Sequence, residues 1–117
     1  MPPRPLPTLR FRLLLDAEHA IGPGKIDLLE AIATTGSIAA AGRTMGMSYK
    51  RAWQLIDELN RSFAAPLVAT SKGGEHGGGA ALTPMGEKVL IAYRAIECKA
   101  QKTLAPELKA LARLSKH

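Results

Sequence analysis

The sequence has few cysteines, few aromatic residues and no long apolar run. Cys98 is the one cysteine among 117 residues, so an internal disulfide is excluded and a reducing cytoplasm is the expected location. No apolar run approaches the roughly 18 residues that a membrane-spanning helix needs, so we expect no membrane partner. Residues 1–8 are rich in proline and lack the apolar stretch of a signal peptide, which predicts a disordered leader.

Sequence patterns typical of catalysis or of metal binding are also lacking. Residues 22–25, Gly-Pro-Gly-Lys, do not have the earlier glycine of a phosphate-binding P-loop. The glycines between Ser71 and Gly79 do not have the strand-to-helix spacing of a dinucleotide-binding motif. No cluster of ligands has the spacing of a metal site, and no Ser/His/Asp or paired-carboxylate arrangement is indicated. We therefore expect no enzyme activity, no cofactor and no metal.

Apolar residues and positive charge are what the sequence does contain. Hydrophobic residues make up 46% of the chain, which is enough for the core of one compact domain. Aromatic residues contribute only 4%, so Leu, Ile, Val and Ala must form most of that core. The formal net charge is +6 and the pI is about 9.8. A small basic domain favours a polyanionic partner, although solubility alone would also explain the charge.

Periodicity and capping residues predict a mainly α fold with a small sheet. Alternation predicts a half-buried strand over Leu9 to Asp16, with the odd-numbered residues from Leu9 to Leu15 directed inward. Residues 20–24 break the chain, and three helices follow. Their predicted bounds are Lys25 to Thr35, Ile38 to about Met45, and a helix capped by Ser48 that ends near Phe63. Gly36 and Gly46 make the turns between them, Ser37 caps the second helix, and the first helix is expected to bury Ile26, Leu29, Ile32 and Ala33.

A glycine-rich segment between two short strands follows the third helix. Residues 67–70 and 80–82 are predicted strands, and the glycines between them predict a flexible hairpin tip. Thr83 then caps a fourth helix with Pro84 at its first position. The apolar stripe of that helix comprises Met85, Val89, Ala92, Tyr93 and Ile96. Pro106 is expected to bend or break the helix, and a seam of leucines continues beyond it at Leu104, Leu108, Leu111 and Leu114.

This order of elements is typical of a winged helix-turn-helix, in which the third helix enters the DNA major groove. At about 100° per residue, Ala52, Leu55, Ile56, Leu59 and Phe63 form the buried face of that helix. Lys50, Gln54 and Arg61 fall on the opposite face. Asp57 and Glu58 would repel phosphate, so only the first half of the helix is expected to enter the groove.

The candidate DNA contacts are cations, hydroxyls, an amide and aromatic rings near the start of the third helix, together with two wing residues. Other interpretations remain open: the helix could be a surface helix with solvated charges, Trp53 could pack at the edge of the core, and His76 could be a solvated loop residue. The full set of candidates is Arg43, Ser48, Tyr49, Lys50, Arg51, Trp53, Gln54, Lys72 and His76.

The stretch from about Leu9 to Lys102 resembles the N-terminal DNA-binding domain of the ModE-type molybdate-responsive transcription regulators, and more widely the LysR-type winged helices. One matching motif is the run Ser48-Tyr49-Lys50-Arg51-Ala52-Trp53, which opens the recognition helix in that family. The other is the glycine-rich wing followed by Leu82-Thr83-Pro84-Met85-Gly86. The resemblance covers about four fifths of the chain.

The resemblance implies a winged helix-turn-helix with an N-terminal strand, a three-helix core, a two-stranded wing and a long C-terminal helix. With the residue pattern, this predicts a DNA-binding domain with a dimerisation helix at residues 9–103, followed by a helical extension at 104–117. It further implies a homodimer that binds a palindromic operator in double-stranded DNA and dimerises through residues 9–15 and the helix after Thr83. The molybdate-binding domains of the family have no counterpart here, so molybdate is not expected to bind this chain alone.

Two other functions remain compatible with the sequence. The chain could be an accessory or non-specific DNA-binding protein that lacks its own effector sensing, because the same cations would serve that role. The winged helix could also mediate protein–protein contact, which the exposed cations and wing glycines make less favoured. The ratio of affinities for specific and random duplexes distinguishes the first of these from a specific regulator.

Overall fold

Helices form most of the described chain, and two antiparallel hairpins complete it. The computed structural model describes residues 6–74 and 77–116, and the side chains of residues 72–78 lie outside this description. The helices are α1 Pro23–Thr35, α2 Ile38–Thr44, α3 Tyr49–Ser62, α4 Pro84–Thr103 and α5 Ala105–Leu114. The strands are β1 Leu13–Leu14, β2 Ala20–Ile21, β3 Val68–Gly74 and β4 Gly77–Leu82. The predicted mainly α winged helix-turn-helix is confirmed.

The first hairpin is shorter than the strand predicted over Leu9 to Asp16. β1 and β2 pair over two residues each, and β2 has no counterpart among the predicted elements. The carboxylate of Asp16 accepts the backbone N–H groups of Glu18 and His19, both at 2.8 Å, and this turn reverses the chain and ends β1. Leu15 is 45% exposed, so its expected inward direction is wrong. The register is Leu13 opposite Ile21 and Leu14 opposite Ala20.

The segment that precedes β1 lies against α4. The Tyr93 hydroxyl donates to the Phe11 carbonyl at 2.6 Å, and the two rings stack with centroids 5.3 Å apart. The Gln101 amide donates to the Pro7 carbonyl at 2.9 Å and accepts the Leu9 N–H at 2.8 Å. Pro7, which falls in the expected disordered leader 1–8, is therefore fixed to α4, and residues 1–5 lie outside the described part of the chain.

The core lies between the first three helices, the base of the wing and α4. Leu28 is fully buried although it was not assigned to the inward face of α1, and Ala33 is exposed although it was. The reason is that α1 packs against α2, α3, α4 and β4 at once, which buries a wider and differently centred face than one stripe. The fully buried large side chains are Ile26, Leu28, Leu29, Ile32, Ile56, Leu59 and Leu67.

Three glycines and one serine set the geometry of the helix-turn-helix. Gly36 and Gly46 adopt positive φ values of 70° and 69°, a conformation that side chains with a Cβ disfavour. Ser37 accepts the N–H of Ala40 at 3.1 Å and so caps α2. Gly42 lies so close to α3 that an added Cβ would sit 3.5 Å from the Cβ of Ala52. These features confirm the predicted turns and caps.

The wing is a longer hairpin than the sequence predicts. Pairing extends from Val68 opposite Leu82 to Gly74 opposite Gly77, whereas a flexible tip was expected between Ser71 and Gly79. Glycine has low strand propensity, but the cross-strand backbone hydrogen bonds and the Ser71 hydroxyl, which accepts the Gly79 N–H at 3.2 Å, favour extended pairing.

The C-terminal helices are divided at Leu104, as Pro106 predicts. Thr83 caps α4 by accepting the Gly86 N–H at 3.0 Å, and α5 begins with Pro106 in its first turn. The apolar stripe predicted for α4 is only partly correct. Tyr93 is buried, and Met85 and Val89 pack on the core. Ile96 is 45% exposed and Ala92 is exposed, so these two residues do not belong to the buried face.

The leucine seam at the C-terminal end has no buried member. Leu104, Leu111 and Leu114 are 38%, 67% and 83% exposed, and none of the residues of α5 is buried. Across residues 6–74 and 77–116, none of the helices is long and apolar enough to cross a bilayer.

Candidate nucleic-acid interface

The amino end of α3 presents its polar residues away from the core. The Ser48 hydroxyl accepts the backbone N–H of Arg51 at 3.0 Å and caps the helix. The other N–H groups of the first turn carry the positive end of the helix dipole. Lys50 and Gln54 are exposed. The predicted buried face is confirmed for Ala52, Leu55, Ile56 and Leu59, and Phe63 packs against the core.

Three cations near this end have no acidic partner in the described part of the chain. Arg43 lies in the last turn of α2, and Lys50 and Arg51 lie in the first turn of α3. All three are exposed, and none forms an ion pair with residues 6–74 or 77–116. The guanidinium of Arg51 has only a long contact of 3.5 Å with the Gln54 side-chain oxygen. We refer to Arg43, Lys50 and Arg51 as the free cations.

The carboxyl half of α3 carries acids that are neutralised within the protein. Asp57 pairs with Arg61 one turn later at 3.2 Å, and Glu58 pairs with Lys25 of α1 at 3.1 Å. Positive charge without internal partners is therefore concentrated at the amino end of the helix. Because Asp57 and Glu58 are paired, they would repel phosphate less than the sequence suggests, and the expectation that only the first half of α3 approaches phosphate stays a prediction.

Two aromatic rings flank the free cations on α3. Tyr49 is 52% exposed and Trp53 is 38% exposed. Their rings stack on each other with centroids 6.2 Å apart and an interplanar angle of 27°. Neither belongs to the core or to the half-buried residues packed against it. At 38% exposure much of the Trp53 side chain is covered, so its interpretations as a core-edge residue and as a DNA contact both stay predictions.

Asn60 joins α3 to the wing and is a residue that the sequence analysis missed. Its side-chain oxygen accepts the backbone N–H groups of Leu67 and Val68 at 2.8 and 3.1 Å, and its nitrogen donates to the Val68 carbonyl at 3.4 Å. At about 80° from the inward direction of α3, Asn60 is a polar residue on the edge of the apolar face. That position is a sequence feature that could have indicated a partly buried hydrogen bond.

Further contacts fix the wing to the helices. The Ala80 N–H donates to the Gly36 carbonyl at 2.9 Å, and the Thr83 N–H donates to the Leu67 carbonyl at 2.9 Å. Gly86 packs directly on the Leu67 backbone, where a Cβ would clash with the carbonyl oxygen. The wing therefore holds a defined orientation relative to α3.

The structure does not describe the side chains of the two predicted wing contacts. Lys72 lies within β3, between Ser71 and Gly74, where the pairing with β4 shifts register, and its side chain lies outside the description. His76 lies outside the described residues altogether. Both stay predictions.

A cluster of ion pairs joins α1, α4 and the segment before β1, and nothing in the sequence pattern indicated it. Arg94 of α4 donates to Asp27 at 3.0 Å, to Glu30 at 3.2 Å and to Glu97 at 2.7 Å. Arg10 also binds Asp27, at 3.1 Å. We refer to these five residues as the paired cluster.

Opposing effects set the ionisation of the paired cluster. Burial acts to raise the pKa of Asp27, but the hydrogen bonds from Arg94 and Arg10 outweigh it and hold that pKa below its usual value. Burial acts to lower the pKa of Arg94, and the three carboxylates raise it on balance. Asp27 and Arg94 are therefore both charged near neutral pH, and the cluster links α1, α4 and the N-terminal segment.

Two shallow pockets lie elsewhere on the described surface. One, of about 290 Å³, is lined by both acidic and basic side chains, among them Glu18, Lys25 and Glu58. The other, of about 390 Å³, is a mainly apolar groove between α1, β4 and α4, next to the exposed Ile91. In the described ranges, no group of three or more His, Cys, Asp or Glu residues could hold a metal ion.

Comparison with protein families identifies the helix-turn-helix and the adjoining wing. Residues 24–87 match the family described as bacterial regulatory helix-turn-helix protein, lysR family. The matched segment begins in α1 and ends in the first turn of α4, so it includes the free cations and the whole of α3.

Curated relatives extend this likeness. Molybdenum-pterin-binding protein MopB of Rhodobacter capsulatus is 48% identical over 91 residues, which are 78% of this chain and 34% of that protein. Molybdenum transport protein ModE of Azotobacter vinelandii is 41% identical over 95 residues, 81% of this chain and 35% of that protein. The DNA-binding transcriptional dual regulator ModE of Escherichia coli K12 is 40% identical over 86 residues, 74% of this chain and 31% of that protein. The chain spans about a third of the length of these relatives.

A solved structure supports the architecture. The crystal structure of a MarR family transcription regulator superposes with a TM-score of 0.59 at 20% sequence identity, and the match covers 80% of this chain and 66% of that one. At this identity the similarity concerns the fold alone.

Proposed function

The chain belongs to the bacterial regulatory helix-turn-helix proteins of the lysR family, and from the geometry of α3 we infer that it is a sequence-specific, DNA-binding transcription regulator rather than an enzyme. The observation that carries this inference is the exposed amino end of α3, where the free cations surround a capped helix start. A protein surface that holds positive charge without internal acidic partners is complementary to phosphate.

In this proposal α3 enters a major groove about 12 Å wide with its amino end first. Gln54 lies one turn from Lys50 on the exposed face, and its amide matches the donor–acceptor pattern of adenine. Lys50 and Arg51 contact guanine edges or phosphate, and the hydroxyl of Ser48 and the first N–H groups of the helix contact phosphate. Arg43 contacts the sugar-phosphate backbone from α2.

The wing supplies the remaining predicted contacts. Because Asn60 and the Gly36 carbonyl bind the base of the hairpin, the wing is oriented by the same helices that carry the free cations. We propose that Lys72 and His76 contact phosphate or the minor groove beside the site bound by α3.

We further propose that the regulator acts as a homodimer on a palindromic operator in the cytoplasm. Exposed apolar side chains occur on the segment before β2 and on the outer helices, where Leu14 is 72% exposed and Ile91 is 68% exposed. Exposed large apolar residues on the segments that the resemblance assigns to dimerisation support this proposal. A twofold dimer would place two copies of α3 in successive major grooves about 34 Å apart.

The relatives' names refer to molybdenum, and residues 6–74 and 77–116 contain no group of three or more His, Cys, Asp or Glu residues that could hold a metal ion. We therefore propose that the segment shared with the relatives provides DNA binding and dimerisation, and that any response to molybdate requires another chain or domain.

Selection of bound duplexes from a random pool tests the specific function. The selected operator is expected to bind more than about a thousandfold tighter than random duplex at physiological salt, and a ratio below about ten would instead support the accessory, non-specific role. Lys50→Ala and Gln54→Ala should each weaken operator binding with little change in thermal stability. Unchanged affinity in both variants would contradict the assignment of α3.

Sedimentation equilibrium with and without operator tests the dimer. The wild type should sediment as a dimer, and Ile91→Lys should shift it towards monomer, because a charge would be buried in the proposed interface. Lys109→Ala, on the other outer helix, serves as an exposed polar control. A wild type that stays monomeric on a duplex with two half-sites would contradict the dimer without contradicting DNA binding.

A further inference from the structure

The aromatic pair at the start of α3 is unlike the other stacked pair in the protein. Tyr93 is 2% exposed, stacks on Phe11 and donates its hydroxyl to the Phe11 carbonyl. Tyr49 and Trp53 are exposed, and among the described residues neither the Tyr49 hydroxyl nor the Trp53 indole N–H has a hydrogen-bond partner. One pair belongs to the core and the residues packed against it, and the other lies at the surface.

Exposed aromatic rings are unfavourable in water unless a partner covers them. Aromatic residues are only 4% of this chain, yet two of them lie exposed one helical turn apart on a single stretch of α3. Such a concentration of apolar surface, bordered by the polar residues Lys50 and Gln54, is typical of a binding surface.

The position of the Tyr49 and Trp53 rings on α3 restricts which chemical groups of a partner they can contact. At about 100° per residue, Tyr49 and Trp53 lie between the buried face of α3 and the exposed stripe formed by Lys50 and Gln54. A duplex that accepts that stripe therefore brings the rings against one wall of the major groove. The apolar group that a base pair presents there is the C5-methyl of thymine.

We propose that Tyr49 and Trp53 form an apolar surface that recognises the C5-methyl groups of thymine in the operator. This inference rests on the proposed function, because it assumes that α3 occupies the major groove. It assigns the hydrogen-bonding part of specificity to Gln54 and the cations, and the apolar part to the two rings.

Replacing thymine by uracil in the selected operator, one position at a time, removes only the methyl group. At one or more positions the wild type should lose about fourfold in affinity for each methyl group removed, the value expected for one buried methyl-sized group. In Trp53→Ala or Tyr49→Ala the same replacement should have no further effect. Tyr49→Phe and Trp53→Phe keep a ring, so they should retain most of the uracil effect.

Gln54→Ala is the matched control. It should bind the operator more weakly and still show the full uracil effect, because the rings are intact. Both alanine variants are expected to fold, since the two rings lie outside the core; if one does not fold, the other alanine variant and Gln54→Ala carry the comparison.

The outcomes separate this inference from the proposed function. Wild type that prefers the operator but is insensitive to uracil at every position overturns the assignment of the rings and leaves the proposed function intact. A uracil effect of equal size in wild type, Trp53→Ala and Tyr49→Ala overturns it as well. Wild type without any preference for the operator contradicts the proposed function itself.

Discussion

The cations of the paired cluster and those at the amino end of α3 have opposite surroundings. In the paired cluster, Arg94 donates to three carboxylates and Arg10 shares one of them. At the amino end of α3, the free cations have no such partner among the described residues. Both regions are rich in arginine or lysine, so residue counts alone do not distinguish them.

Net charge therefore predicts DNA binding only after the cations that pair with acids inside the protein are discounted. A cation already neutralised by neighbouring acids contributes little to the field around the protein, whereas an unpaired one attracts phosphate at the full strength of its charge. We therefore expect the paired cluster to determine the stability of the fold and the free cations to determine DNA affinity.

Replacing one arginine by methionine in each region is expected to give the largest difference in the free energy of unfolding. Arg94→Met leaves Asp27, Glu30 and Glu97 without their shared partner, and the free energy of unfolding should fall by about 2 kcal/mol, less than for a fully buried pair because Arg94 is partly exposed. Arg43→Met should change stability by no more than about 0.5 kcal/mol and should weaken operator binding. Urea unfolding and operator titration of both variants test this expectation. Equal losses of stability would contradict the assignment of stability to the paired cluster and of DNA affinity to the free cations.

Loss of the Asn60 side chain should give the next largest effect. Asn60→Ala removes the acceptor for two backbone N–H groups at the base of the wing, and we expect a loss of about 1.5–2 kcal/mol in the free energy of unfolding. Asn60→Asp keeps the acceptor oxygen and should lose clearly less. Equal losses in the two variants, measured by thermal or urea unfolding, would mean that the hydrogen bonds to β3 do not matter.

Two arginines on α3 itself allow a closer comparison. Arg51→Ala should weaken operator binding about tenfold, which corresponds to the loss of one charge-assisted hydrogen bond, and should reduce the slope of log affinity against log salt by about one. Arg61→Ala should change neither quantity measurably, because Arg61 already pairs with Asp57. A reduced slope in Arg61→Ala but not in Arg51→Ala would reverse the assignment.

The smallest expected effect is the pH dependence of the paired cluster. The pKa of Asp27 is lower in the folded protein than in the unfolded chain, so the unfolded chain takes up a proton at higher pH. The stabilisation from Asp27 is therefore complete above about pH 5 and is lost as the pH falls through the folded pKa. The difference in unfolding free energy between wild type and Asp27→Asn should shrink on acidification, and a constant difference from pH 7 to pH 3 would contradict this origin.

Local chemistry made the helix-turn-helix predictable from sequence. Ser37 and Ser48 as caps, Gly36 and Gly46 at positive φ, and the periodicity of α3 each depend on residues a few positions apart, and all are confirmed. The same periodicity identified which side chains of α3 are exposed.

Features that depend on distant pairing were not predictable in this way. Arg94 lies 67 residues from Asp27, so the free cations could not be told from the paired ones before the fold was known. The wing strands were predicted too short because cross-strand hydrogen bonds outweigh the low strand propensity of glycine. β2 was missed because it exists only through its two-residue pairing with β1, after the turn at Asp16.

The most direct test of the central claim is to map amide chemical-shift changes when the ¹⁵N-labelled protein is titrated with its selected operator. Our account predicts that the largest changes fall at Arg43 and at residues 48–54, with small changes at Arg10, Asp27 and Arg94. Large changes centred on the paired cluster, with residues 48–54 unaffected, would contradict the claim that the amino end of α3 binds DNA.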